Sequence, residues 1–389
     1  MRVAYYSPLP PETSGIADYS ALLLPALRER IEVEVVKRGR TKPPRGTEVS
    51  LYHVGNSPEA HAWIVDALRR RPGVVVLHEL VLHHLIAGMT IGRKDGRGYL
   101  DALERDSGLP GRLLAHGVLE GRVPPLWEMR PEDFPLAGAV LDRATGLIVH
   151  SRYVEDGARR LGYEGPLWRI PHPAWPAPEV VPAAVDGSPL IGCFGHLNAS
   201  KRIPQLLEAF RLLPETARLL LVGPVSPRYD LDAVFDRYGA DRVTREAYVP
   251  EARLWSLMAA CDVLVSLRAP TMGETSGSAL RALSLGKPLV VSDVGWFSEL
   301  EGAARIPVGD GEVEALFAAL VQPPEPVRAG LEHDVARVAD RYAAALEEAG
   351  GGEAVRDGVL HEVAAAAAAV GIEDTAELSS ALREVGLGE

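Results

Sequence analysis

The sequence predicts an α/β protein built from two doubly wound domains in tandem, with a helical tail. Three observations predict it. Short β-branched runs alternate with longer stretches of helical periodicity along most of the chain, the pattern of parallel strands joined by crossover helices. The runs are continuously apolar rather than alternating, as strands covered on both faces are. A proline-rich break from Ile170 to Pro189, with six prolines, divides two such series. A length of 389 residues suits this division, since domains run to roughly 100–200 residues.

In the first series the strand-like runs are Val3–Tyr6, Ile31–Val36, Val49–His53, Val74–Leu77 and Leu147–His150. Helical patterns fall at Ala17–Arg28, Pro58–Arg71 and Tyr153–Leu161. The break can be neither helix nor central strand, because proline removes the donor both need, so it reads as a linker. The second series has strands at Leu190–Phe194, Leu219–Val222, Val243–Tyr248, Asp262–Leu267 and Leu289–Ser292. Its helices are expected at Arg202–Leu213, Tyr229–Tyr238, Glu251–Ala260, Ser278–Leu285 and Val313–Val321. The domains are therefore set at 1–175 and 187–330, facing a cleft. The helical tail, 331–389, could return to the first domain. Its alanine tract, 364–369, is flanked by Glu362 and Glu373 and reads as a water-facing helix.

A hydrophobic fraction of 47% and a charged fraction of 24% exclude disorder as the main state. The net charge is −12, which argues against a nucleic-acid partner, since phosphate backbones select a basic face. Cys193 and Cys261 lie beside apolar runs and read as buried thiols, which points to a reducing, cytoplasmic compartment. No run reaches the length of a membrane span. Arg69-Arg70-Arg71 is the tight basic run; it reads as a solvated helix end, with peripheral membrane contact as the alternative.

Ligands of open α/β sheets bind beyond the carboxyl ends of the strands, so the loops that follow strands are where chemistry is sought. After the first strand, Thr13 or Ser14 can cap a helix, and Gly15 lets a ligand approach the backbone. After Leu77, His78 and Glu79 stand at a strand end; His83 and His84 lack HExxH zinc spacing. After Phe194, the loop holds Gly195 and His196 and leads to Lys201 and Arg202, cations at a helix start that a bound diphosphate would explain. After Leu267, the small residues Gly273, Thr275, Ser276, Gly277 and Ser278 enter a helix and suit a phosphate or sugar. Glu274 among them can accept from sugar hydroxyls. Asp230-Leu231-Asp232 mimics a metal-binding DxD, but it opens a helix, where carboxylates are favoured anyway.

These residues resemble the retaining glycosyltransferases of family 4, which have the GT-B architecture of two Rossmann-like domains; the resemblance spans roughly residues 1–345. The family's third loop reads G-R-L-x-x-x-K-G. Here it runs from Gly195 to Arg202, so that Lys201 matches the diphosphate-binding lysine and His196 stands where arginine is usual. Pro270, Glu274, Gly277 and Gly286-Lys287-Pro288 match the fourth loop. Glu274 there resembles the glutamate that contacts the donor sugar. The second family glutamate, which holds the ribose, is replaced by Arg281 or Ala282. His78-Glu79 resembles the pair whose histidine lies beside the reacting sugar, and Tyr248-Val249-Pro250 the segment that runs past the base.

The resemblance implies a nucleoside-diphosphate sugar as donor, a hexosyl group transferred with retention, an acceptor held by the first domain, and no metal or other cofactor. It assigns catalysis to His78, Lys201 and Glu274. Donor binding falls to Gly15, His196, Lys201, Arg202, Val249, Glu274, Thr275, Ser276, Gly277 and Ser278. The acceptor is expected to be a sugar, lipid or small molecule. The alternatives are another GT-B enzyme, namely a nucleotide-sugar epimerase or a phosphorylase, and a non-catalytic nucleotide-sugar binding protein.

Overall fold

The computed structural model describes residues 1–12 and 14–351, together with residues 363, 366 and 367. Thr13 and the rest of the expected helical tail lie outside the described residues. The chain divides into two units, residues 1–172 together with the segment from Val335, and Pro173–Asp334.

The first unit holds strands β1 (Arg2–Tyr6), β2 (Glu32–Val35), β3 (Val49–Val54), β4 (Gly73–Leu77), β5 (Ala144–Val149) and β6 (Leu167–Arg169). They form one parallel sheet in the order β2-β1-β3-β4-β5-β6. Strands β3 and β4 are buried along their whole length; β4 accordingly reads as an unbroken apolar run, while β3 buries Ser50 and His53 among its apolar residues. Helices Gly15–Arg28 and Pro58–Arg70 begin at serine caps, Ser14 and Ser57, whose side chains accept from the Ala17 and Ala60 amides. Arg69 and Arg70 end the second of these helices as exposed residues, where cations complement the helix dipole. Among the described residues no helix is long and apolar enough to cross a membrane.

Helix Val335–Gly350 packs on this unit, burying Val338, Ala339, Tyr342 and Leu346. Removing Val338 and Leu346 from water is worth about 1.5–3 kcal/mol each. The Tyr342 and Tyr19 hydroxyls meet at 2.6 Å in the core, and the Trp168 indole donates to Glu348 at 2.8 Å. The tail segment thus completes the first unit although it follows the second in sequence.

The second unit holds β7 (Leu190–Phe194), β8 (Arg218–Val222), β9 (Val243–Glu246), β10 (Val263–Ser266), β11 (Leu289–Ser292) and β12 (Ala304–Ile306). These also form a parallel sheet, ordered β12-β11-β10-β7-β8-β9. The chain order reverses between β7 and β10, as it does between β1 and β3 in the first sheet, and such switch points open crevices at the carboxyl ends. Strand β9 stops at Glu246, two residues short of the expected end. The proline-rich segment is not a free tether. Ala174, Trp175, Ala183 and Val185 pack against the second core, and the Ala183 amide donates to the Ser256 carbonyl at 2.9 Å.

Candidate functional site

The two loops at the second switch point meet over the ends of β7 and β10. After Phe194 the chain turns at Gly195 with φ of +102°, a conformation glycine adopts at little cost. A Cβ built there would lie 3.4 Å from Lys201 Nζ and 3.9 Å from Ser278 Oγ. That position faces an ammonium and a hydroxyl, the donors that a phosphate oxygen would need.

Lys201 does not open a helix, as its place in the sequence suggests. It ends a 3₁₀ turn, Ala199–Lys201, and the helix starts at Ile203. The turn swings the side chain inward to 3% exposure, where Nζ donates to the Phe194 carbonyl at 2.7 Å. Burial pushes the Lys201 ammonium down to about 8; the Cys193 thiol acts the other way, Arg268 lowers it and Glu274 raises it. Among the described residues Lys201 forms no ion pair with a carboxylate, Glu274 acting on it only from a distance, and a buried lysine so placed is poised for an anion.

Arg202 is employed differently. It takes a left-handed conformation at φ of 55° and pairs through both Nε and Nη2 with Glu312, a carboxylate only 2% exposed. The Gly309 amide also donates to Glu312. Arg202 is thus a brace between the helices Ile203–Arg211 and Glu312–Val321. His196 is exposed, and its imidazole is held below its ordinary value by desolvation first, then by Lys201 and Arg268.

From the β10 side, Ser276 caps helix Gly277–Leu285 by accepting from the Ala279 amide. Its hydroxyl also meets Ser266 at 3.3 Å and Ser278 at 3.1 Å. The first N–H groups of a helix have no intrahelical acceptor, so this end adds positive potential beside Lys201. Glu274 stands just before it. One oxygen takes the Met272 amide at 2.7 Å and the Thr271 hydroxyl at 3.1 Å; the other lies 2.8 Å from Arg268 Nε. Thr275 is partly buried between Glu274 and the cap, and Val249 packs partly buried against the second core. Arg281, at the position compared with the ribose glutamate, stacks on the Trp175 ring at 3.8 Å and reaches Glu251 at 3.4 Å. Asp230 is an N-cap, accepting from the Ala233 amide at 2.9 Å, and this accounts for the DxD-like sequence.

The structure therefore brings Lys201, Glu274, Ser276, Gly277 and Ser278 together, while His78 and Gly15 belong to the first unit. Gly15 is exposed, with open space beside it. His78 follows β4 and is 6% exposed, its Nε2 3.0 Å from His53 Nδ1. Tyr19 packs edge-on against His78 at 4.8 Å and against His172 at 4.7 Å, with His150 5.1 Å from His78. Burial, then the neighbouring imidazoles of His150, His53, His172 and His61, hold His78 well below its ordinary value, so it is neutral at pH 7. His83 is a core residue, bonded to the Phe134 carbonyl and the Tyr99 hydroxyl. Among the described residues no group of three His, Cys, Asp or Glu side chains could hold a metal ion.

Sequence reasoning missed Arg268 and the company of His78. Their positions at strand ends were readable in the sequence, but their contacts were not. Arg268 is the first charged residue after β10, and His53, His78 and His150 each sit at the carboxyl end of adjacent strands.

Substituting Gly195 by alanine should test the loop geometry. The forced left-handed φ costs roughly 1 kcal/mol or more, and the new methyl would occupy the space beside Lys201 Nζ, in contact with it at 3.4 Å. We expect a modest fall in melting temperature and a larger loss of nucleoside-diphosphate affinity by calorimetry. Unchanged affinity would show that the space beside Gly195 is not used.

Residues 188–323 match the sequence family described as glycosyl transferases group 1. No curated protein sequence matches the chain. Among solved structures, sucrose-phosphate synthase of Thermosynechococcus elongatus aligns at 18% identity and a TM-score of 0.55, covering 94% of this chain and 99% of the other. HepE of Anabaena, solved in complex with UDP and glucose, aligns at 15% identity and 0.54, covering 89% and 95%. AviGT4, a glycosyltransferase involved in avilamycin A biosynthesis, aligns at 19% identity and 0.52, covering 90% and 98%. At such identities the likeness is one of fold. The second unit thus matches the group 1 glycosyl transferases by sequence, and the chain as a whole has the two-sheet GT-B fold.

Proposed function

We propose that the protein transfers a hexosyl group from a nucleoside-diphosphate sugar to an acceptor hydroxyl, with retention and without an obligatory metal. The observation that carries this reading is the buried Lys201 at the second switch point, facing Gly195 and Ser278. The match of residues 188–323 to glycosyl transferases and the UDP and glucose bound by the similarly folded HepE support it.

In the reaction, the bond between the anomeric carbon and the diphosphate oxygen breaks, and the nucleoside diphosphate leaves with the electron pair. The acceptor oxygen bonds to the same face of that carbon, and its proton passes to the departing phosphate oxygen. Charge grows on the diphosphate as the bond breaks. Lys201 and the N-terminus of helix Gly277–Leu285 are fixed to meet it, and such preorganised groups are usually the largest catalytic term. Glu274 accepts from hydroxyls of the donor sugar. His78, neutral and held by His53, is the first unit's candidate for a hydrogen bond to the sugar, and that unit takes the acceptor, whether sugar, lipid or small molecule.

The test is incubation with UDP-glucose, GDP-mannose and ADP-glucose against a panel of acceptors, followed by NMR. An α-configured donor should give an α-linked product with release of nucleoside diphosphate. Lys201→Ala should lower turnover by roughly 10²-fold or more with the fold intact. Isomerised donor without acceptor would identify an epimerase instead, and dependence on inorganic phosphate a phosphorylase. Donor binding with no release would leave a binding protein.

A further inference from the structure

We propose that Arg268 is the second cation of the diphosphate site, acting beside Lys201, and that it also holds Glu274 in place. The proposal rests on the donor reading above and names a residue that no motif in the sequence singles out.

Arg268 follows β10, next to β7 in the sheet, so its backbone starts at the switch point. Its amide donates to Ser292 Oγ at 2.9 Å, which fixes its root to the end of β11. Its side chain is 14% exposed and crosses from one loop to the other. Nη1 donates to Ser200 Oγ at 2.7 Å, next to Lys201, and Nε lies 2.8 Å from Glu274 Oε1. A backbone bond from the Ala269 amide to the Ser200 carbonyl, 2.9 Å, runs beside the same crossing. Ser200 is itself anchored, its hydroxyl donating to Asn198 Oδ1 at 2.7 Å.

Of the guanidinium's five N–H groups, one on Nη1 is engaged in a hydrogen bond, to Ser200; Nε lies against Glu274 as an ion pair but has no hydrogen-bond partner among the described residues, so most of the fork is available to an oxyanion. The electrostatic setting agrees. Arg268 acts on both Lys201 and His196 as a nearby positive charge. The other basic residue of the first loop, Arg202, is committed to Glu312, and His196 is held toward its neutral form. Lys201 alone is a poor match for the charge of a departing diphosphate. Arg268 supplies the planar, bidentate geometry that suits phosphate oxygens. Because the same fork touches Glu274, a phosphate seated on Arg268 sets the carboxylate that accepts from the sugar.

Calorimetric titrations with UDP, GDP, ADP and TDP, each compared with its parent nucleoside, test this in the wild type, Arg268→Gln, Arg268→Lys and Lys201→Ala. Thermal melting of each variant checks that it folds. Arg268→Gln should weaken the preferred nucleoside diphosphate roughly tenfold or more while changing the nucleoside less than about threefold. Arg268→Lys keeps the charge without the fork and should fall between. A residue with only a structural role would lower both ligands alike. If Lys201→Ala loses affinity while both Arg268 variants bind the diphosphate as wild type does, the role of Arg268 is refuted and the donor reading stands. If the wild type binds none of the four diphosphates, or Lys201→Ala leaves binding unchanged, the donor reading fails and this proposal with it.

Discussion

Lys201→Met should make the protein more stable and unable to bind a nucleoside diphosphate. The lysine is 3% exposed, and its ammonium is held at about 8 rather than the usual 10.5. Keeping it charged in the folded state at neutral pH therefore costs about 3 kcal/mol. Methionine has a similar length and no charge to desolvate. It gives up the bond to the Phe194 carbonyl, worth about 1 kcal/mol. The net gain is about 1–2 kcal/mol, a rise of several degrees in melting temperature. The sign also follows from proton linkage. Between pH 8 and 10.5 the unfolded lysine is protonated and the folded one is not, so stability from this group rises with pH across that window. The rise should be present in the wild type up to about pH 10, where the tyrosines begin to titrate, and absent in Lys201→Met. Diphosphate binding should show the converse trend. An anion raises the lysine's pKa, so affinity is greatest below pH 8 and falls above it. A marked drop in stability on Lys201→Met would make this lysine a structural residue and remove the main support for the donor site.

The alternation of apolar runs and helical stretches made the two sheets legible, because the central parallel strands, buried on both faces, are mostly apolar. Leu190–Phe194 and Glu251–Ala260 are found where the pattern places them. The three-residue edge strands Leu167–Arg169 and Ala304–Ile306 were not legible. Each contains an arginine and is too short to carry a period. Helix Gly96–Leu119 was hidden by its own composition, since it bends at Gly108 and contains Pro110. At the site, Lys201 and Glu274 could be found because each lies in a loop with a recognisable spacing. Arg268 could not, because its meaning comes from Ser200 and Glu274, which only folding brings to it. The inward turn of Lys201 and the diversion of Arg202 to Glu312 were equally invisible, since adjacent basic residues look alike until a buried carboxylate 110 positions away selects one of them. The histidines of the first unit are the clearest instance. His53, His78, His150 and His172 are far apart in sequence and gather because adjacent parallel strands end at one edge.

That gathering should make the first unit unfold in mild acid, well before the second. His53, His61, His78 and His83 all lie in the first unit and are all held below 6.5, chiefly by burial; His61 and His83 are held at about 4. The charged form has little to gain there. The His53 and His78 rings pack against each other and against Tyr19, with Tyr5 on His53 and Tyr342 behind, while His83 packs on Tyr99 and Trp127. His53 Nε2 has no hydrogen-bond partner among the described residues, and Arg38 further disfavours charge on His61. Glu79 approaches His61 across Gly55, yet burial prevails. Below pH 6.5 the unfolded chain takes up protons that the folded unit refuses, so stability falls as pH falls. Each such histidine contributes about 1.4 kcal/mol per pH unit until its folded pKa is reached. His61 and His83 thus remove about 3 kcal/mol each by pH 4. Together these two remove about 6 kcal/mol by pH 4, as large as the whole stability of many domains, and His53 and His78 act in the same direction. Asp106, raised by burial, works the other way but is one group against four. The second unit has among its described histidines only His196 with a lowered pKa, and that side chain is exposed. Hydrogen exchange followed by mass spectrometry between pH 7 and 5, corrected for intrinsic rates, should therefore show β3, β4 and β5 losing protection while β7 and β10 keep it. Equal loss in both units would mean that they unfold as one and that the histidines do not single out the first; no loss in the first would mean that the buried imidazoles accept protons without unfolding, and that His78 can be charged when it meets a sugar.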